Sequence, residues 1–120
     1  MYKFWGKVRY DKQRGKSLGF PTANIILRKN IPEGIYISKT KAQKTIYPSI
    51  TFIGKMKTFN EQEYKSETFI LDFDQNIYDY WISVSLLKKI RSNKKFNNKK
   101  ELIKQMKKDE KIARKYFFSG

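Results

Sequence analysis

Thr22 and Asn24 stand two residues apart just behind Pro21, a spacing that turns two oxygen donors to the same side of an extended chain. A hydroxyl and a carboxamide oxygen placed this way suit a hard divalent cation such as magnesium, which also takes water and phosphate oxygens. The stretch ahead of them, Gly15-Lys16-Ser17-Leu18-Gly19, carries what a phosphate needs. Its two glycines free the backbone to present N–H groups to an anion, and Lys16 adds a point charge. Pro21 then fixes the backbone. The chemistry within reach is the holding of a phosphate together with its metal. Taken alone, the loop reads first as a Gly-rich turn entering a strand, with Thr22 solvated and Asn24 serving the backbone. It is not a P-loop, because that motif opens a helix, whereas Pro21 and the β-favouring residues after it lead into a strand.

The bulk properties narrow the choice of chemistry. A chain of 120 residues is one domain, residues 1–120, with room for one core. It has no cysteine and no histidine, which removes disulfides and thiolate metal sites and leaves carboxylate, lysine or tyrosine as a general base. No apolar run approaches a membrane span, and the N-terminal residues lack the apolar core of a signal peptide, so a soluble cytoplasmic protein away from membranes is expected. The net charge of +16 invites nucleic acid, but the excess is lysine spread along the chain. No specific nucleic-acid partner is expected; weak salt-sensitive adsorption is.

These residues need a frame. Short runs rich in β-branched and aromatic residues predict strands over 2–9, 20–27, 34–40, 45–53, 66–73 and 81–90. Ile31-Pro32-Glu33-Gly34 fits a type I turn, Asp74-Gln75-Asn76 forms another loop, and residues 54–65 read as a longer polar loop. Six short strands in so small a domain favour closure, which removes exposed edges. Near the C-terminus the apolar period changes: Leu102, Ile103, Met106, Ile112, Ala113, Tyr116 and Phe117 form a stripe at helical spacing, opened by Asn98 and Glu101 in the manner of a capping box. That stripe should pack on the barrel. Trp5 and Trp81 sit in strand patterns and are read as packing residues, the alternative being rings exposed to stack bases.

Several of these stretches, in order, resemble one family. The run from Gly15 to Asn24, with Gly6-Lys7-Val8, Gly34-Ile35-Tyr36, Ile53-Gly54, Glu67-Thr68-Phe69-Ile70-Leu71-Asp72-Phe73, Ile77-Tyr78, Ile90-Arg91 and Lys95-Phe96, is similar to the riboflavin kinases from about Gly6 to Arg114. The resemblance implies a mainly β fold, a closed six-stranded antiparallel Greek-key barrel with a C-terminal α-helix. It implies phosphorylation of the ribityl 5′-hydroxyl of riboflavin by ATP to give FMN and ADP. By the same resemblance Thr22 and Asn24 are the Mg2+ ligands, while Gly15, Lys16, Ser17 and Leu18 cover the nucleotide phosphates. Glu67 is the base, and Tyr78, Arg91 and Phe96 meet the flavin.

Read from the strand pattern alone, Glu67 shares a face with Phe69, Leu71 and Phe73, and it is also readable as a strand-end side chain paired with a lysine. Arg91 is marked by scarcity, one of five arginines among 27 basic residues. Phe96 is equally a hydrophobic staple at the helix start. The chain departs from the family pattern at Asp11, Phe52, Lys57, Phe69 and Asp79. Those departures leave open a non-catalytic flavin-binding regulatory module, and the charge leaves open a basic nucleic-acid-binding barrel. The expected protein is a monomeric kinase that stops at FMN, since adenylyl transfer in this family relies on histidines that the chain lacks.

Overall fold

The computed structural model describes residues 2–9, 22–58, 61–73, 77 and 80–118. The loop residues Gly15, Lys16, Ser17 and Leu18, together with Asp11, Tyr78, Asp79 and the Asp74-Gln75-Asn76 loop, lie outside them. Six strands precede one helix: β1 (Tyr2–Lys7), β2 (Ala23–Ile26), β3 (Gly34–Ala42), β4 (Thr45–Thr58), β5 (Glu61–Ile70), β6 (Trp81–Arg91) and α1 (Lys99–Phe118). The sheet order is β1-β6-β3-β4-β5-β2, with every paired neighbour antiparallel. Strands β3, β4 and β5 form a meander, and β6 returns to lie beside β3, which is the Greek-key arrangement.

The two ends of the sheet meet at a seam. Arg9, just past β1, bridges Asn24 of β2, its N–H donating to the Asn24 carbonyl at 2.9 Å. Close approach at this seam depends on Gly6, because a Cβ there would lie 2.6 Å from Cγ2 of Ile25. The expected barrel with its C-terminal helix is therefore the observed one.

Alternation along the strands builds two apolar layers. Phe4, Ile25, Tyr36, Ile53, Ile70 and Val84 are among the residues that point inward and fill the barrel. Outside, Ile35, Ile37, Ile50 and Leu71 gather beneath Ala113 of α1, with Phe52, Phe69 and Phe117 at the margin. Each fully buried isoleucine contributes about 1.5–3 kcal/mol. Between β3, β4 and β5 the interior is lined by hydroxyls linked in a chain: Thr40 to Ser49, Ser49 to Ser38, Ser38 to Thr51 and Thr51 to Thr68, at 2.7–2.9 Å. A hydroxyl both donates and accepts, so small polar residues fill a narrow barrel without orphaned groups.

Three local expectations are corrected. The predicted polar loop at 54–65 is the far half of the β4–β5 hairpin, paired from Gly54↔Lys65 out to Thr58↔Glu61. Its polar composition carries no apolar alternation to read, yet the backbone ladder forms regardless of side chain. The tight turn at Ile31-Pro32-Glu33-Gly34 is replaced by an irregular link. The Ile31 carbonyl that such a turn would use accepts the Tyr64 hydroxyl, and the Pro32 carbonyl accepts that of Tyr36 at 2.7 Å. Strand β5 stops at Ile70, where Asp72 adopts φ 56°. Phe73 is thereby turned to the barrel core, where it meets the Tyr47 ring edge-on with centroids 4.9 Å apart, while Glu67, Phe69 and Leu71 remain on the outer side.

The helix begins as its capping box predicts, with the Glu101 N–H donating to Asn98 Oδ1 at 2.9 Å. Its packed face is rotated from the predicted stripe. Asp109 and Ala113 are the buried positions, whereas Ile112 and Tyr116 are about half exposed. The rotation follows from an ion pair that places a carboxylate, and not an aliphatic side chain, at the centre of the contact. Among the described residues no helix is long and apolar enough to cross a membrane.

Candidate active site

One row across the outer face of the sheet joins segments far apart in sequence. The register pairs Asn24 of β2 with Glu67 of β5, Glu67 with Phe52 of β4, Phe52 with Ile35 of β3, and Ile35 with Arg91 of β6. Neighbouring strands stand about 4.8 Å apart, so the row sets an amide, a carboxylate and an aromatic ring side by side, with Ile35 between the ring and the guanidinium.

Asn24 alternates with Ala23 and Ile25, which point into the barrel, and therefore projects outward; it is nonetheless buried. Its Nδ2 donates to the Thr22 carbonyl at 3.5 Å, and its Oδ1 is buried with no hydrogen-bond partner among the described residues. An unsatisfied buried carbonyl costs about 1–3 kcal/mol, a cost that a ligand or cation at this oxygen would offset. Thr22, half-buried, lies just ahead of β2. Among the described residues no three acidic side chains cluster, so a cation here would be held by neutral oxygens together with those of its own phosphates.

Glu67 is partly exposed and has Lys65 beside it on the same outer face, Nζ to Oε1 3.9 Å. The lysine partner foreseen as the alternative for Glu67 is thus present, but the side chain lies mid-strand and not at a strand end. Lys65 is itself buried. It was missed in the sequence because one lysine among so many gives no signal of burial.

At the other end of the row Arg91 forms a two-pronged ion pair with Asp109 of α1, Nε to Oδ1 2.9 Å and Nη2 to Oδ2 2.7 Å. Gln105 donates to the same carboxylate at 3.1 Å, and Arg91 Nη1 reaches the Ser92 carbonyl at 3.2 Å. The guanidinium therefore locks the helix and the start of the 92–98 link onto the sheet. That link is tied to β4 as well, since Asn93 Nδ2 donates to the Ile53 carbonyl at 3.3 Å. Gly54 leaves room for this contact. A Cβ there would lie 2.8 Å from the Phe52 ring and 3.0 Å from Asn93 Nδ2. Phe96, half-buried on the same link, has the Lys94 ammonium 5.8 Å from its ring centroid.

A family model described as flavokinase, riboflavin kinase, matches residues 1–117. The chain belongs to the riboflavin kinase family. It is 43% identical over 115 residues to the trifunctional protein RibF/MnmA of Mycoplasmoides gallisepticum, covering 93% of this chain and 18% of that one. With the bifunctional riboflavin kinase/FMN adenylyltransferase of Bacillus subtilis it shares 36% identity over 122 residues, covering 97% of this chain and 39% of that protein. A solved structure described as a macrolide-efflux protein from Streptococcus pneumoniae superimposes with a TM-score of 0.84 at 34% identity, over 93% of this chain and 38% of that one. The chain thus spans well under half the length of these relatives.

For a riboflavin kinase fold the row brings together Asn24, Glu67 and Arg91, three of the residues singled out in the sequence, with Thr22 and Phe96 on the segments adjoining it. Gly15, Lys16, Ser17, Leu18 and Tyr78 fall outside the described residues. Two participants were not foreseen. Phe52, noted only as a departure from the family pattern, is the ring next to Glu67. Asp109 falls on the predicted stripe between Met106 and Ala113, but it stands in a lysine-rich run with Glu110 beside it, and nothing local marks it for burial.

Proposed function

We propose that this domain phosphorylates riboflavin, transferring the γ-phosphoryl group of ATP to the ribityl 5′-hydroxyl and releasing FMN and ADP. The observation that carries the reading is the placement of Asn24 beside Glu67 on adjoining strands, in a chain of the riboflavin kinase family. Phosphoryl transfer of this kind rests on positioning and charge, with one group to orient and deprotonate the attacking hydroxyl.

Glu67 takes that part. Its carboxylate accepts the proton as the hydroxyl oxygen forms a bond to the γ-phosphorus and the bond to the β-phosphate oxygen breaks, leaving ADP. Lys65, 3.9 Å away, offsets the carboxylate charge between turnovers and restrains the side chain. Asn24 Oδ1, buried without a hydrogen-bond partner among the described residues, and the Thr22 hydroxyl are the donors that fit Mg2+. When bound, the metal would neutralise phosphate charge. Gly15, Lys16, Ser17 and Leu18 are assigned to the nucleotide phosphates by family resemblance alone.

The flavin takes the apolar strip beside Glu67, with Phe52 beneath it and Phe96 at its margin; Tyr78 is assigned to the flavin by family resemblance alone. Arg91 serves here as a positioning residue: its ion pair with Asp109 and its bond to the Ser92 carbonyl hold the 92–98 link in place over β4. This domain has no histidine for adenylyl transfer, so the product proposed for it alone is FMN.

Chromatography of products after incubation of the pure chain with riboflavin and MgATP tests the reading. FMN without FAD is the expected result. Flavin binding with neither FMN formation nor ATP consumption would replace the kinase by the non-catalytic flavin module.

A further inference from the structure

In the six-strand cycle β6 lies diametrically opposite β5, so most of its outer face looks away from Glu67. There the register lays out a second pattern. Lys3, Ser85 and Lys39 form one row across β1, β6 and β3; Trp5, Ser83 and Lys41 form the next; Lys7 and Trp81 form a third. Two serines on the central strand make a low floor. The side chains of β1 and β3 rise on either side, two strand spacings or about 10 Å apart.

Both tryptophans were expected to pack, and neither does: Trp5 is 63% and Trp81 65% exposed. Lys3, Lys7, Lys39 and Lys41 are exposed as well, and β1, β3 and β6 contain no Asp or Glu. Trp5 is held in place, since the Lys29 ammonium sits 5.0 Å from its ring centroid while donating to the Lys3 carbonyl at 3.0 Å. A ring fixed before binding loses little entropy on stacking.

We propose that this face binds single-stranded nucleic acid, with bases stacked on Trp5 and Trp81 and backbone phosphates on the flanking lysines. The chemistry favours this occupant over other anions. Among the described residues the cross-strand partners of the two tryptophans are Ser83 and Lys7, polar positions that interrupt the apolar area a membrane surface would take up. An acidic peptide would satisfy the lysines but leave the ring faces unused. Nucleic acid supplies flat π-faces and a regular anionic backbone together. The site is separate from the kinase row and does not depend on its assignment.

The test is fluorescence anisotropy of a labelled oligodeoxythymidylate of about 16 nucleotides, titrated with the full chain at salt from about 50 to 200 mM. Trp5→Ala with Trp81→Ala is expected to weaken binding about tenfold or more at fixed salt, while Trp5→Phe with Trp81→Phe retains much of it. Lys39→Gln with Lys41→Gln is expected to lower the slope of log affinity against log salt by about 1–2. FMN formation should be unchanged in all three. The proposal is overturned if the double alanine variant binds as tightly as the parent, which would mean charge adsorption alone. It is equally overturned if polyglutamate or phosphatidylserine vesicles bind in a tryptophan-dependent way and the oligonucleotide does not.

Discussion

Asn24 and Glu67 are register partners on antiparallel strands β2 and β5, both on the outer face of the barrel. The pairing joins an amide suited to a cation with a carboxylate suited to a proton, one strand spacing apart. Glu67→Gln keeps the shape and removes the base. It is expected to lower single-turnover phosphorylation by about 10²–10⁴ while riboflavin and MgATP still bind. Unchanged turnover would remove Glu67 from the chemistry.

Asn24 separates stability from function. Its Oδ1 is buried and without a hydrogen-bond partner among the described residues, an arrangement that costs on the order of 1–3 kcal/mol in the absence of ligand. Asn24→Leu should therefore unfold at or above the parent temperature without ligands, yet need about 10–100-fold more Mg2+ for half-maximal rate, the range seen when a metal site loses one of its supports. Calorimetry and a metal titration read the two effects independently. A variant that is both less stable and unaltered in metal response would mark Asn24 as structural.

The strands and the helix were readable because both rest on local patterns: β-branched runs between turn signals, then a change of period with Asn98 and Glu101 at the change; the Greek-key closure of the strands came from the family resemblance. The row from Asn24 to Arg91 was not, because it is a property of register across five strands, and no short window contains it. The same limit explains Trp5 and Trp81. Alternation tells which residues share a face, but not which face of β1 and β6 meets the core. Asp109 escaped for a different reason: burial of a carboxylate is decided by a distant partner, Arg91, and not by its neighbours in the helix.

That partner makes the next prediction. Asp109 is buried and Arg91 mostly so, and breaking such a pair from one side strands a charge. Asp109→Ala is expected to destabilise the domain by about 3 kcal/mol and to loosen the 92–98 link, raising the KM for riboflavin more than it lowers kcat. Arg91→Met with Asp109→Leu should recover much of the stability, because apolar side chains of similar volume leave no charge unpaired. The KM defect should persist in that double variant, since the bond to the Ser92 carbonyl is lost.

Tyr36 and Tyr64 clamp the link between β2 and β3 by donating to the Pro32 and Ile31 carbonyls. Both phenols titrate above their ordinary value of 10.0, chiefly through burial, with Tyr2 adding to the shift at Tyr36 and Glu33 and Tyr36 adding to it at Tyr64. A raised value in the folded state means that the unfolded chain loses these protons first. The stabilisation is thus complete below about pH 10 and is lost as pH rises through the folded values. Tyr36→Phe and Tyr64→Phe should each cost about 0.5–1.5 kcal/mol at neutral pH and flatten the alkaline fall in stability. Denaturant titrations from neutral to strongly alkaline pH would show it, and a fall as steep in the double phenylalanine variant would assign it to other groups.

Gly6 governs closure of the barrel. It faces inward on β1 opposite Ile82, where the seam brings β2 close enough that an added Cβ would lie 2.6 Å from Ile25 Cγ2. Real Cβ atoms do not approach so closely, and Ile25 is poorly able to yield, since its β-branched side chain is held at χ1 in a packed core. Gly6→Ala must therefore push β1 from β2, straining the bridge between Arg9 and Asn24. The expected cost is about 1–3 kcal/mol, partly regained by Ile25→Ala in the same chain because the obstructing methyl is removed. Since Asn24 lies on the moved strand, Gly6→Ala should also weaken Mg2+ dependence at temperatures where the domain is still folded. Normal stability and normal metal response in Gly6→Ala would show that the seam opens without cost and that the barrel does not hold Asn24 in register with Glu67.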